Sequence, residues 1–382
     1  MRNRSRLGQV TGAALAVLVT TATACRPADS SVFIGPLPFE EVADLSSGVT
    51  PVAFPTVDLV ASYPAGSPLA RVSQLAVSGD GVVAMGHSSS CTVLLIPEGM
   101  DAPDVRIDAC GEGGRGISDL FWIDGQTLGV YDQWSGEIRT FDSAGAEGSR
   151  LEVPQSEPGG VFSAVYPVDA ATSVITAFEP ISEERVHADP RLVQRRDRRD
   201  GEVQDAFLAL PEVGLRDDLM FPFGVEVCVE QAPKGTARVL ALNRWAHEVY
   251  VIEPGVRERA GRSVYRHDVP LFAGGRPNGL LAPQQGSFGL GCGEGAGLAH
   301  RTIHHETLSG EIVKEGVLDW ISFDGALLGR FDLTTAADVD FTRELGVSRD
   351  GVGFALVRHD GGLALARFEL RTERLAQGEQ AP

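Results

Sequence analysis

From about residue 57 to residue 375 the chain alternates apolar and polar residues with a period of two, and Gly, Asp, Asn and Pro interrupt the alternation every few residues. This pattern builds short, half-buried strands joined by tight turns, and it leaves little room for helix. Residues 75–84, 120–131 and 345–357 each read as strand, Asp-Gly turn, strand. Gly accepts the positive φ that a tight hairpin demands. The 45 Gly and 22 Pro among 382 residues follow no G-X-Y period, so they supply turns in excess. Residues 40–45 and 334–338 are the best helical stretches, and neither exceeds two turns. The expected class is all-β.

The strands recur in units. Asp132-Gln-Trp134-Ser-Gly-Glu137-Ile138 repeats 111 residues later as Asn243-Arg-Trp245-Ala-His-Glu248-Val249, and the next strand ends at Phe141-Asp142 and Ile252-Glu253 in turn. The ends of the expected first strands, taken as markers, fall near Val72, Ile117, Phe162, Pro222, Pro277 and Phe341. Self-similarity at a spacing of roughly 45 residues or more signals a repeat architecture. The expectation is six units of four short antiparallel strands. The strand at 57–62 precedes the first unit and is expected to complete the outer edge of the last, which removes exposed sheet edges.

At the N-terminus, Arg2, Arg4 and Arg6 precede an uncharged run from Leu7 to Thr23. That is the pattern of an export signal, too short and too rich in Thr and Gly for a membrane-spanning helix. The run ends Ala22-Thr23-Ala24-Cys25. It resembles the lipobox of bacterial lipoproteins, with Ala22 where that family usually carries Leu. The resemblance implies cleavage after residue 24 and acylation of Cys25, so that membrane lipid is a partner through that residue. Several acyl chains anchor where one does not. Ala22-Thr23-Ala24 also reads as an ordinary cleavage site, which leaves a secreted soluble protein as the alternative. The expected organisation is a signal peptide (1–24), a lipidated and flexible linker (25–54), the repeat domain (55–375) and a disordered tail (376–382).

Loss of three Arg with the signal takes the net charge from −19 to about −22. A chain this acidic is repelled by nucleic acid and by anionic headgroups. Once Cys25 is set aside, four cysteines remain, an even number that suits an oxidising compartment. Of three pairings, Cys91–Cys110 with Cys228–Cys292 is favoured, because Cys91 opens a strand at 92–96 and Cys110 closes a neighbouring strand at 105–109. There is no C-x-x-C and no G-x-S-x-G, so redox chemistry, a zinc ribbon and a nucleophile-elbow hydrolase are unsupported.

Pro222-Phe-Gly224-Val225 and Pro277-Asn278-Gly279-Leu280 resemble the blade starts of NHL-type propellers, and the layout over roughly 55–375 resembles the six-bladed β-propeller lipoproteins of bacterial envelopes, in the NHL-like and TolB-like group. A seven-bladed ring or a pair of β-sandwiches is the alternative architecture. The segment Pro277-Asn278-Gly279-Leu280 is also similar to one in gluconolactonase-like propellers. There the resemblance implies that Asn278 holds a divalent cation in the central channel, with Glu226 as a second ligand. That family's N-terminal Glu motif and its later Asp motif are missing here, and Asn-Gly is also simply a good turn.

Other groupings have plain readings. His300, His304 and His305 beside Glu306 suggest a solvated or stacked strand face, because 300 and 304 share a side and 305 takes the other. Arg195, Arg196, Arg198 and Arg199, interleaved with Asp197 and Asp200, read as an exposed loop; if they bind anything, it is acidic. The glycine-rich residues 286–297 read as a loop pinned by Cys292, with no following helix to cradle phosphate. Trp122, Trp134, Trp245 and Trp320 are assigned to packing between units. No catalytic residue, cofactor or oligomer is assigned. The expected function is a monomeric, membrane-anchored module that binds an envelope protein or a small ligand, with a metal-dependent hydrolase as the alternative.

Overall fold

The computed structural model describes residues 49–63, 72–87, 89–99, 103–110, 115–153, 160–167, 173–180, 191–197, 203–209, 225–231, 237–243, 248–252, 262–266, 280–307, 312–336 and 339–370. The signal segment, Cys25, the helix candidate at 40–45 and the C-terminal tail lie outside them.

Two strands come first, β1 (Val52–Ala53) and β2 (Asp58–Tyr63). A first set follows: β3 (Gln74–Val77), β4 (Val83–Gly86), β5 (Thr92–Ile96) and β6 (Val105–Asp108). The second is β7 (Asp119–Trp122), β8 (Thr127–Asp132), β9 (Glu137–Asp142) and β10 (Glu147–Glu152). The third is β11 (Gly160–Pro167), β12 (Ser173–Pro180), β13 (Arg191–Asp197) and β14 (Val203–Ala209). The fourth is β15 (Val225–Gln231), β16 (Ala237–Asn243), β17 (Glu248–Ile252) and β18 (Arg262–Arg266). Then come β19 (Leu280–Gly293), β20 (Ala296–Thr307), β21 (Ile312–Ser322) and β22 (Leu327–Asp332), and last β23 (Asp340–Val347), β24 (Val352–His359) and β25 (Gly362–Glu369). The helix expected at 334–338 is a single 3-10 turn, Leu333–Thr335.

The first four sets are separate antiparallel sheets of four strands. The remaining strands make one nine-stranded sheet, in which β19–β22 and the group β23-β24-β25-β2 meet through two parallel residue pairs, Cys292 with Gly346 and Gly293 with Val347. Each first strand begins within three residues of its marker in the sequence. The strand expected at 57–62 is β2, antiparallel to β25 on the outer edge of the last group. The Trp134 and Trp245 repeats also correspond: Asp132 pairs with Glu137 and Asn243 with Glu248, each pair joining the second strand of a set to the third. The Asp-Gly turns form as expected, with Gly125 at φ 79° and Gly351 at φ 77°.

The first strands neighbour one another in a cycle: β3 and β7, β7 and β11, β11 and β15, β15 and β19, β19 and β23, and β23 back to β3. Apolar faces seal the contacts between sets. Ala76, Val93 and Leu95 pack on Leu120, Leu128 and Phe141. Leu240 and Leu242 pack on Leu290 and Ile321. Val77, Val83 and Met85 pack on Phe354 and Leu365, so the first set meets the last. That same seam carries a backbone hydrogen bond from Arg349 N–H to the Gly79 carbonyl at 3.0 Å, and Arg349 is paired with Glu294 at 2.6 Å. Four-stranded sheets stacked face to face, with their first strands in a cycle, make a β-propeller-like fold.

The domain starts earlier than its sequence boundary at 55. β1 pairs in parallel with β22, and Phe54 is buried 4.9–6.2 Å from the rings of Phe368, Phe341 and Phe331. Flanking Pro51 and Pro55 give this stretch the look of a loop, but an aromatic ring buries enough surface to hold it down.

Both favoured disulfides are present, Cys91–Cys110 and Cys228–Cys292, with Cα atoms 5.0 and 5.2 Å apart. The first staples β5 to β6 inside one sheet, where Thr92 pairs with Asp108. The second crosses from β15 to β19, joining two sets.

The glycine-rich residues 286–297 do not form a loop. They are the end of β19, a two-residue turn and the start of β20. Gly289, Gly291 and Gly293 face β23, and a Cβ on each would stand 2.2, 2.3 and 2.2 Å from the carbonyl oxygens of Arg343, Leu345 and Val347. The glycines let two backbones approach more closely than any side chain permits.

Candidate functional site

Glu226 lies on β15, where its Oε2 accepts a hydrogen bond from the Leu290 N–H of β19 at 2.6 Å. Two residues further along each strand is the Cys228–Cys292 disulfide, and Cys292 in turn pairs with Gly346 of β23. Glu344 sits two residues before Gly346 on β23, ion-paired with Arg343 at 2.5 Å. Stepping around the cycle the other way, Tyr166 of β11 donates its hydroxyl proton to the Val227 carbonyl of β15 at 3.0 Å. Its ring lies 4.5 Å from that of Phe121 on β7. Asp119 opens β7: its Oδ1 accepts from the Leu120 N–H at 2.9 Å, and its Oδ2 is buried with no hydrogen-bond partner among the described residues. First strands of four sets thus bring Asp119, Tyr166, Glu226 and Glu344 into one electrostatic neighbourhood.

Burial raises the Asp119 carboxyl to about 8, the charges of Glu344 and Glu226 add to the rise, and the hydrogen bond from Leu120 opposes it. Asp119 therefore holds its proton more tightly than an ordinary carboxyl does. Burial also holds Tyr166 well above the usual phenol range, helped by Asp119 and Glu226.

Of the two residues that the gluconolactonase-like resemblance singled out, Asn278 lies outside the described residues, and Glu226 is engaged with backbone as above. Among the described residues no three His, Cys, Asp or Glu side chains gather as a metal ion would require. Sequence reading missed Asp119, Tyr166 and Glu344. Each sits at a strand position that looks ordinary, and only the cycle of first strands makes them neighbours.

Three other groupings can be set beside their sequence readings. Of the two readings of the histidine face, solvated or stacked, His300 takes the stacked one: it is buried on β20 with its ring 6.3 Å from Phe341, and burial lowers it to about 4, so it is neutral. The side chains of His304, His305 and Glu306 lie outside the described residues. The arginine run is not wholly an exposed loop. Arg191–Asp197 is β13, and Arg196 is buried with its guanidinium 5.2 Å from the centre of the Phe162 ring. Such stacking offsets part of the cost of desolvating a cation. Arg198, Arg199 and Asp200 lie outside the described residues. Trp134 does not pack between sets. It is 58% exposed at a hairpin tip, with Arg115 5.7 Å from its ring. Trp320 is buried between the last two groups, Trp122 packs at the edge of the core shared by the first two sets, and Trp245 lies outside the described residues.

No protein-family model matches the chain, and no curated protein matches it in sequence. Solved structures do match in shape. A member of the DUF4221 family from Bacteroides vulgatus is 11% identical, with 83% of this chain and 95% of that one covered and a TM-score of 0.50. A streptogramin B lyase is 11% identical over 83% and 98% of the two chains, at a TM-score of 0.38. A catalytically inactive virginiamycin B lyase from Staphylococcus aureus with quinupristin is 9% identical over 82% and 99%, at 0.40. The last two scores are too low to argue from. The first supports the β-propeller-like fold and, at such identity, speaks of fold alone.

Proposed function

We propose that this chain is an exported lipoprotein, held in a bacterial envelope by acyl groups on Cys25, whose six-bladed β-propeller binds a protein or small ligand as a monomer. The observation that carries the reading is the cycle of first strands. It brings side chains from sets far apart in sequence to one axis, an arrangement suited to recognising a ligand from several sides at once. In this reading β23-β24-β25-β2 is the sixth blade, closed by a strand from the N-terminal side. The two disulfides suit an oxidising compartment outside the cytoplasm. Among the described residues no helix is long and apolar enough to cross a membrane.

The test is acylation in a bacterial host. The wild-type chain is expected to incorporate a clickable palmitate analogue and to sediment with membranes. Cys25→Ser is expected to incorporate none and to shift into the soluble fraction. Equal labelling of the two, or a wild-type chain released into the medium, would leave a secreted protein instead. Affinity capture from the envelope with the anchored chain then addresses the binding role. A tightly held divalent cation in the purified protein, with lactone hydrolysis that chelators abolish, would instead favour the metal-dependent enzyme.

A further inference from the structure

The tip of the hairpin between β8 and β9 exposes the Trp134 ring, while Asp132, two residues earlier, is only 2% exposed. Hydrogen bonds pin the backbone of this tip. The Trp134 N–H donates to Asp132 Oδ1 at 2.9 Å, and the Gln133 N–H donates to Ser118 Oγ at 3.0 Å. The Gly136 N–H donates to the Asp132 carbonyl at 2.9 Å, and the Val153 N–H to the Gly136 carbonyl at 2.9 Å. Folding gains little from an aromatic ring left in water. A ligand that covered the ring would gain from its burial and would meet a backbone already ordered.

Beside the ring is a cation. Arg115, exposed on the segment that leads into β7, holds its guanidinium 5.7 Å from the centre of the indole. Among the described residues no carboxylate pairs with it, although the chain has 52 Asp and Glu to 33 Lys and Arg. A guanidinium over an aromatic face keeps its N–H edge for a carboxylate, which it can bind through two parallel hydrogen bonds. The surroundings of Trp134 are not broadly apolar. The other exposed large apolar residues among the described ones, Val49, Val52 and Leu59, lie on or beside β1 and β2, the edge strands of the nine-stranded sheet. A protein partner needs a packed, water-excluding patch around its anchor residues. A sugar needs only one flat ring, with its C–H face on the electron-rich face of the indole and its hydroxyls left in water.

We propose that Trp134 and Arg115 form a binding site for a carboxylate-bearing oligosaccharide. One sugar ring rests on the indole face that Arg115 leaves open, and a carboxylate of that sugar or the next meets the guanidinium. The site is independent of whether Cys25 is acylated or the axis of the ring of sets holds a ligand of its own.

The test is titration of the purified protein with tetragalacturonate, tetramannuronate and a hyaluronan tetrasaccharide, each beside its neutral methyl ester, read at the indole N–H resonances of the tryptophans. At least one of these acids is expected to shift the Trp134 resonance, identified by its loss in Trp134→Phe, and to bind at least fivefold more tightly than its ester. Trp134→Ala is expected to weaken binding at least tenfold. It should leave the thermal midpoint in place, because the exposed ring contributes little to the core. Arg115→Gln is expected to reduce the acid to the affinity of its ester and to leave the ester unchanged. No shift of Trp134 with any of the acids up to about 10 mM, roughly ten times the Kd of a millimolar site, would overturn the proposal. So would equal affinities for acid and ester, or binding that survives Trp134→Ala. A photoreactive residue at position 134 that captures an envelope protein, with no sugar bound, would also overturn it, while leaving the binding function proposed above in place.

Discussion

Gly291→Ala is expected to unfold the protein or to cost more than about 4 kcal/mol, an exceptional effect for one methyl group. The added Cβ would lie 2.3 Å from the Leu345 carbonyl oxygen and 2.4 Å from its carbonyl carbon, both backbone. No rotamer change relieves such an overlap. Either β19 or β23 must move, and the residues just beyond, Cys292 and Gly293, pair with Gly346 and Val347. Cys292 is also tied to Cys228, so the strand has little freedom to retreat. The control is Gly295→Ala, at the neighbouring turn. Its Cβ meets nothing within 4 Å but has to accept φ +80°, so a penalty of roughly 1 kcal/mol is expected from the backbone alone. Urea denaturation followed by tryptophan fluorescence reads both. Comparable midpoints for the two variants would mean that the close approach of β19 and β23 is not a tight constraint.

The second large effect belongs to the disulfide between sets. Replacing Cys228 and Cys292 together with serine is expected to lower stability by about 4 kcal/mol on the chain-entropy estimate, against about 3 kcal/mol for Cys91 and Cys110. The order follows from the loops closed, 64 residues against 19. Position adds to it. Cys228 is wholly buried, and its bridge joins two first strands where the Glu226 hydrogen bond to Leu290 is the adjacent tie. The other bridge joins strands that already pair with each other. Thermal melts of the two double variants, each without free cysteines at the deleted pair, give the comparison. A larger loss from the Cys91–Cys110 pair would reverse the ranking and place the weak point of the fold in the first set.

Much of the architecture is legible in local sequence because strands and hairpins are local objects. Alternation at 75–84 and 345–357, with Asp-Gly between, is enough to place β3, β4, β23 and β24. The Trp134 and Trp245 repeats locate equivalent hairpins in two sets. The pairing of Cys91 with Cys110 is readable for the same reason, since the two strands they flank are consecutive. The strand at 57–62 was assigned to the far end of the chain because an open sheet edge must be covered.

What local sequence misses is whatever depends on a neighbour distant in the chain. Gly289, Gly291 and Gly293 look like a flexible loop until β23 is laid beside them, because the backbone that excludes their side chains lies about 54 residues away. Arg196 looks solvated until Phe162 is placed beneath it. Phe54 looks like part of a linker until three phenylalanines from later strands surround it. Asp119 has the least local signal of all. Its affinity for a proton is a property of burial and of charges on other sets. The sequence by itself determined the all-β class, the positions of the first strands and the Cys91–Cys110 pair, since each rests on near-neighbour periodicity or on consecutive strands, whereas Cys228–Cys292 joins strands of two different sets. Only the tertiary structure decided where backbones meet without side chains and which carboxyl is buried and holds its proton more tightly, because both depend on groups that the cycle of first strands brings together across long stretches of chain.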